Sequence, residues 1–177
     1  MTRALRGGVM ALLALAPALS AQNIRRSQEA VVRQKLADTW IEIHYRRPVA
    51  RGRSPLFGNV VEWGRVWTPG ADSATTISVS TAIRIENDTL PRGTYTIWMI
   101  PDSSGPWTVI FNKTPRAWHT QYPGEGTDQL RVHATPIQGT HVESLMWYFP
   151  SVDGSEARLV MQWGTTGVPL AIRVGQP

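Results

Sequence analysis

The sequence predicts an all-β fold: a single antiparallel β-sandwich of jelly-roll-like kind, with about nine or ten strands. Three observations carry that prediction. Apolar and polar residues alternate with period two in segment after segment from residue 40 onward, the pattern of half-buried strands. The segments are separated by short Gly, Pro, Asn and Asp turns rather than by helical stretches, which implies antiparallel neighbours. Past the first two dozen residues, no stretch sustains a 3.6-residue period, apart from the ambiguous "SQEAVVRQKLAD".

The amino terminus precedes this pattern. Arg3 and Arg6 are followed by an apolar run from Val9 to Leu19 and then by Ser20 and Ala21, the layout of a Sec-type signal peptide. The run is too short for a spanning helix, which needs about 20 apolar residues. Residues 1–21 are therefore expected to be a leader, cut after Ala21 or after Ser20, with residues 22–177 as the single β domain. No cysteine is present, so there is no lipobox, disulfide or thiolate chemistry. The expected location is periplasmic or secreted, with no stable membrane span after cleavage.

The first strand pair is expected from "SQEAVVRQKLAD" and "TWIEIHY". A short helix is the competing reading of the former, but Val31 and Val32 ahead of a clean strand favour a hairpin. In "WIEIHY", Ile41, Ile43 and Tyr45 share one face and Trp40, Glu42 and His44 the other. "TTISVSTAIRIE" alternates through Ile77, Val79, Ile83 and Ile85. A strand from about Thr94 to Ile100 follows, then "PWTVIFNK" with Trp107, Val109 and Phe111 on one face. "DQLRVHATP" sets Leu130, Val132 and Ala134 against Arg131 and His133. "VESLMWYFP", "ARLVMQWG" and "VPLAIRV" complete the set, and "TQYPGEGTD", residues 120–128, reads as a flexible loop.

The net charge of +5 includes Arg3 and Arg6, and every basic residue except Lys35 and Lys113 is arginine. The arginines cluster only in "YRRPVARGRSP". For an exported chain such a patch suits an acidic partner surface or an anionic ligand better than nucleic acid.

No catalytic constellation emerges. There is no G-x-S-x-G, and His44, His119, His133 and His141 have no metal-ligand spacing. Enzymatic activity is left open with a non-catalytic role favoured, and no metal or cofactor is assigned. Of the eight tryptophans, Trp107, Trp147 and Trp163 align with apolar neighbours and are expected in the core, whereas Trp67, Trp98 and Trp118 are unassigned.

The long, non-alternating segment from Tyr45 to Ile77 is the expected functional region. There Arg47 and Arg53 either donate to buried backbone carbonyls or clamp an oxyanion, and Asp72 accepts from turn amides. The ligand-binding candidates are Arg47, Arg53, Trp67, Asp72 and Trp118. They suit a binding or accessory domain for an envelope protein partner. The alternative is a site for a small anionic or glycan ligand, with or without hydrolase activity.

At these residues the chain resembles the DUF2911 family of bacterial proteins of unknown function. The resemblance runs through "HYRRPVARGRSPLFGNVVEWGRVWTPGADSATTISVSTAIRI", "LPRGTYTIWMIP", "WTVIFNK" and "DQLRVHATP" in order, and is strongest over residues 40–135. Members look like Y-x-R-P-x-x-x-G-R, carried here by Tyr45, Arg47, Pro48, Gly52 and Arg53. The next block, G-x-V-W-R-x-G-A-N-x-A-T, falls on Gly64, Val66, Trp67, Gly70, Ala71, Ala74 and Thr75. This chain departs from it at Thr68, where the pattern has Arg, and at Asp72, where it has Asn. The resemblance implies no defined activity.

Overall fold

The computed structural model describes residues 26–175. Ten strands are present among them: β1 (Gln28–Leu36), β2 (Thr39–Arg47), β3 (Thr76–Val79), β4 (Ile83–Ile85), β5 (Asp88–Leu90), β6 (Gly93–Ile100), β7 (Trp107–Asn112), β8 (Asp128–Ala134), β9 (Ile137–Asp153) and β10 (Glu156–Arg173). A single 3₁₀ turn, Glu125–Thr127, interrupts the all-β pattern. The predicted leader lies outside the described residues.

The strands form two antiparallel sheets, a six-stranded one ordered β1-β2-β3-β6-β7-β8 and a four-stranded one ordered β5-β4-β10-β9. They face each other as a sandwich. Alternation decides which side chains meet between them. Ile41, Ile43, Ile77, Ile97, Val109 and Phe111 come from the larger sheet, and Leu145, Trp147, Leu159, Met161 and Leu170 from the smaller one, all nearly or wholly buried in one cluster. Each such side chain contributes roughly 1.5–3 kcal/mol relative to exposure. His44 and His133 point away from this core, and both are exposed.

The ambiguous opening segment is a strand. β1 pairs with β2 along its whole length, Val32 opposite Ile43 and Leu36 opposite Thr39. Two other features differ from the sequence reading. "TTISVSTAIRIE" is divided at Ser80–Ala82, so that β3 lies in one sheet and β4 in the other. The alternation survives because both halves turn their isoleucines to the same core. "ARLVMQWG" and "VPLAIRV" form one continuous strand, β10, whose register against β9 shifts between Gln162 and Thr166. Gly164 sits in that irregularity with φ of +59°, a conformation that favours glycine.

Beyond β2 the chain leaves its sheet and crosses to the edge of the other. The Ala50 N–H donates to the Glu143 carbonyl (2.8 Å) and the Leu145 N–H to the Pro48 carbonyl (2.9 Å), with Val49 opposite Ser144. The Arg-rich segment therefore seals the β9 edge, satisfying an edge that would otherwise present free backbone groups. Residues 51–66 then run across one end of the sandwich, and this placement creates the cleft described next.

Candidate functional site

The block Trp67–Thr75 is a packed corner. Trp67 exchanges two backbone hydrogen bonds with Met99 (2.8 and 2.7 Å). Thr68 is wholly buried; its hydroxyl donates to the Ile97 carbonyl (2.9 Å) and accepts from the Thr75 N–H (3.1 Å). The Thr75 hydroxyl donates to the Pro69 carbonyl (2.9 Å). Three polar groups that burial would otherwise strand are thus paired within a few residues.

Asp72, with φ of +63°, stands on the outer side of that corner. Its carbonyl accepts from the His119 N–H (2.9 Å), and its carboxylate lies 3.8 Å from Arg46 Nε. Ser73 pairs with Trp118 in an isolated antiparallel bridge. Asp72 and Trp118 therefore share a neighbourhood. Beside them is a shallow depression of about 380 Å³ whose lining includes His44, Arg46, Arg116 and the half-exposed Trp118. Arg46 is engaged there by Glu29 (3.0 Å) as well as by Asp72.

The other three predicted residues gather elsewhere. Arg47 Nε donates to the Leu145 carbonyl (3.0 Å), clamping the crossing to β9. Arg53 Nε donates to the Ala50 carbonyl (2.9 Å) and Nη2 to the Val49 carbonyl (2.7 Å). Both arginines thus perform the carbonyl-donating role expected of such a crossing. These bonds hold the Arg53 guanidinium 5.7 Å from the ring centre of Trp163, within cation–π range. Trp67 stacks on the same Trp163 ring, centroids 6.2 Å apart and planes 13° from parallel. The five candidates do not surround one mouth: Arg53 and Trp67 converge on Trp163, Arg47 buttresses them, and Asp72 and Trp118 form a separate surface.

The convergence point borders a cleft of about 340 Å³. Its walls include Arg53, Ser54, Phe57, Trp63, Trp163 and Thr165. Phe57 meets the rings of Trp63, Trp67, Trp107 and Trp163 at 4.7–6.4 Å, so the aromatic wall is one interlocked cluster. Two glycines permit this packing. A Cβ on Gly58, whose φ is +90°, would lie 2.3 Å from Trp63 Nε1, and one on Gly164 would lie 2.8 Å from Leu56 Cδ1.

The polar character of the cleft is lopsided toward donors. Trp163 is 2% exposed, as its alternation predicts, yet its indole N–H has no hydrogen-bond partner, the sole such buried side-chain atom among the described residues. At the rim His141 lies 3.2 Å from Glu143. The Glu143 carboxylate accepts from the Arg51 N–H, which, with the His141 bond next in weight, holds it below the usual carboxylate range. Among the described residues no group of three or more His, Asp or Glu is placed to hold a metal ion, and no helix is long and apolar enough to cross a membrane. The cleft has the groups to bind a ligand rich in acceptors and with a flat apolar face.

A family described as "Protein of unknown function (DUF2911)" has a model that matches residues 27–172. The chain belongs to the DUF2911 family. No curated protein and no solved structure matches it. The two departures from the family pattern fall outside the cleft. Position 68 is a buried corner site whose hydroxyl bridges two backbone groups, so Thr68 is a packing residue. Asp72 faces Arg46 on the separate surface.

Phe57, Trp63, Trp163 and His141 were not among the sequence-derived candidates. Trp163 reads correctly as core from its alternation, and the missing partner of its N–H has no sequence signal. Trp63 does have one: it is a large aromatic in the non-alternating crossing, and it is 42% exposed.

Proposed function

We propose that this DUF2911 protein is an exported, non-catalytic binding domain that holds a small glycan in the cleft between Trp63, Trp163 and Arg53. The leader-like amino terminus supports export, and a cell-envelope glycan is then the nearest acceptor-rich ligand class. The observation that carries the reading is the partly exposed Trp63 indole set across the cleft from an Arg53 guanidinium that two backbone carbonyls hold in place. Exposed indole at Trp63 offers a stacking face for a sugar ring, and the Ser54 and Thr165 side chains add hydroxyl partners.

The test is a glycan array containing neutral and acidic envelope oligosaccharides, with hits followed by intrinsic tryptophan fluorescence. Saturable binding is expected, reduced at least about tenfold by Trp63→Ala, measured well below the unfolding midpoint of the variant because Trp63 also packs against Phe57 and Trp107. Absence of any saturable hit overturns the proposal, as does binding that Trp63→Ala leaves intact.

A further inference from the structure

We infer that the ligand is an acidic saccharide, whose sugar ring sits in the aromatic cleft while its oxyanion sits in a second, arginine-lined cavity that shares Arg53 as a wall. The inference rests on the glycan-binding reading and adds the charge of the ligand and where that charge is held.

The second cavity has a volume of about 410 Å³ and is lined by Arg26, Ser27, Pro48, Val49, Arg51 and Arg53. Arg53 lines both this cavity and the aromatic cleft, so a ligand a few atoms longer than one ring reaches from one to the other. Three guanidinium-bearing residues border the second space. Among the described residues no carboxylate lies within ion-pair distance of Arg26, Arg51 or Arg53. Like charges gathered with less than matching counter-charge repel one another, and an anion entering between them relieves that repulsion.

The cluster is also pre-shaped. Arg51 has φ of +52°, and its Nη2 donates to the Arg26 carbonyl (3.3 Å), tying the start of β1 to the crossing. Arg53 is fixed by its two carbonyl bonds through Nε and Nη2, while its Nη1 has no partner among the described residues. A guanidinium already immobilised by the backbone loses little further freedom when it binds an anion, and its planar fork suits a carboxylate or sulfate. The Glu143 carboxylate accepts from the Arg51 N–H and from His141 and is also felt by Arg53, but it is a single negative charge beside three arginines, so the local balance remains positive. The Ser27 hydroxyl adds a neutral donor.

The experiment uses the purified protein and matched probes: tetragalacturonate, the same tetrasaccharide with its carboxylates reduced to alcohols, and a sulfated neutral tetrasaccharide. Titration calorimetry at low and at high salt is expected to show an acidic probe binding at least about tenfold more tightly than the reduced one. The difference should shrink at high salt and be lost in the Arg26→Gln/Arg51→Gln double variant, which leaves the aromatic wall untouched. The two acidic probes distinguish a uronate from a sulfate ligand. Equal affinity for acidic and reduced probes overturns the inference while leaving glycan binding standing. A charge preference that persists in the double variant overturns the assignment to this cavity. Failure of the array and of every probe removes the glycan-binding reading itself, and the inference with it.

Discussion

Two long loops cross this sandwich, and they use their polar groups in opposite ways. Residues 113–127 cover the outer face of the larger sheet, over a small cluster of Trp98, Ile110 and Ala74. There the half-buried donors and acceptors are spent locally. Asn112 Nδ2 reaches the Gly124 carbonyl, the Thr127 hydroxyl and Asp128 Oδ1 at 2.7–3.2 Å. The Tyr122 hydroxyl donates to Asp128 Oδ2 (2.6 Å), and Arg131 donates to both Asp128 (2.7 Å) and Tyr122 (3.0 Å). Residues 48–66 seal an edge and then bring Arg51 and Arg53 beside Arg26 around a cavity where, among the described residues, no carboxylate lies within ion-pair distance of the three. Length alone does not make a loop functional; unspent hydrogen-bonding and charge capacity is the better sign, because a fold selected only for stability would pair it.

The comparison predicts a separation of effects: damage to the satisfied regions should cost stability and spare binding. The largest loss is expected at Asp128, which is 8% exposed and serves three donors at once. Asp128→Ala leaves Tyr122, Arg131 and Asn112 competing for water in a half-buried setting, a loss of about 3 kcal/mol. Urea unfolding measures it, and an unchanged midpoint would mean that the network is ornamental. Acidic-probe affinity, measured well below the unfolding midpoint, should match wild type.

Thr68 comes next. Thr68→Val preserves shape but removes the hydroxyl between Ile97 and Thr75, so about 2 kcal/mol should be lost. A neutral result would show that the corner tolerates unpaired backbone groups. Loss of glycan affinity at constant stability would instead tie the corner to the cleft.

The same contrast explains what the sequence made legible. Faces follow from period two, so Ile41, Ile43, Trp107, Val109 and Trp147 were assignable to the core before any pairing was known. The carbonyl-donating role of Arg47 and Arg53 was one of the two roles that donor counting offers in a crossing segment. What escaped was long-range. The change of sheet between Val79 and Ile83 leaves the alternation intact, and nothing local brings residue 53 to residue 163. "TQYPGEGTD", read as flexible from its glycines and proline, is tied down by Asn112 and Arg131, which lie outside it. Placing Arg47, Arg53, Trp67 and Asp72 around one mouth was reasonable from their proximity in sequence, but the corner turns Asp72 to a different surface.

Titration offers the finest separation of the two loops. Burial foremost, and then the bond to the Asp128 carboxylate, pushes the Tyr122 hydroxyl from its ordinary 10.0 up to about 12. Between those values the folded chain keeps the proton and the unfolded chain has lost it, so unfolding releases a proton and rising pH favours the unfolded state. The stability linked to this group is full below pH 10.0 and declines as pH rises toward about 12. Tyr95, also raised by burial, contributes with the same sign. Near the cleft the sign reverses. Glu143 is held below its ordinary 4.5, chiefly by the Arg51 N–H, so its contribution is present above that value and is lost as pH falls through the lowered one. Asp102, lowered by the Ser104 and Gly105 N–H groups, adds to the acid limb. Tyr122→Phe should therefore flatten the alkaline limb of a stability-against-pH profile and leave the acid limb alone, and Glu143→Gln should do the converse. If both variants altered the same limb, the two loops would not be energetically separate.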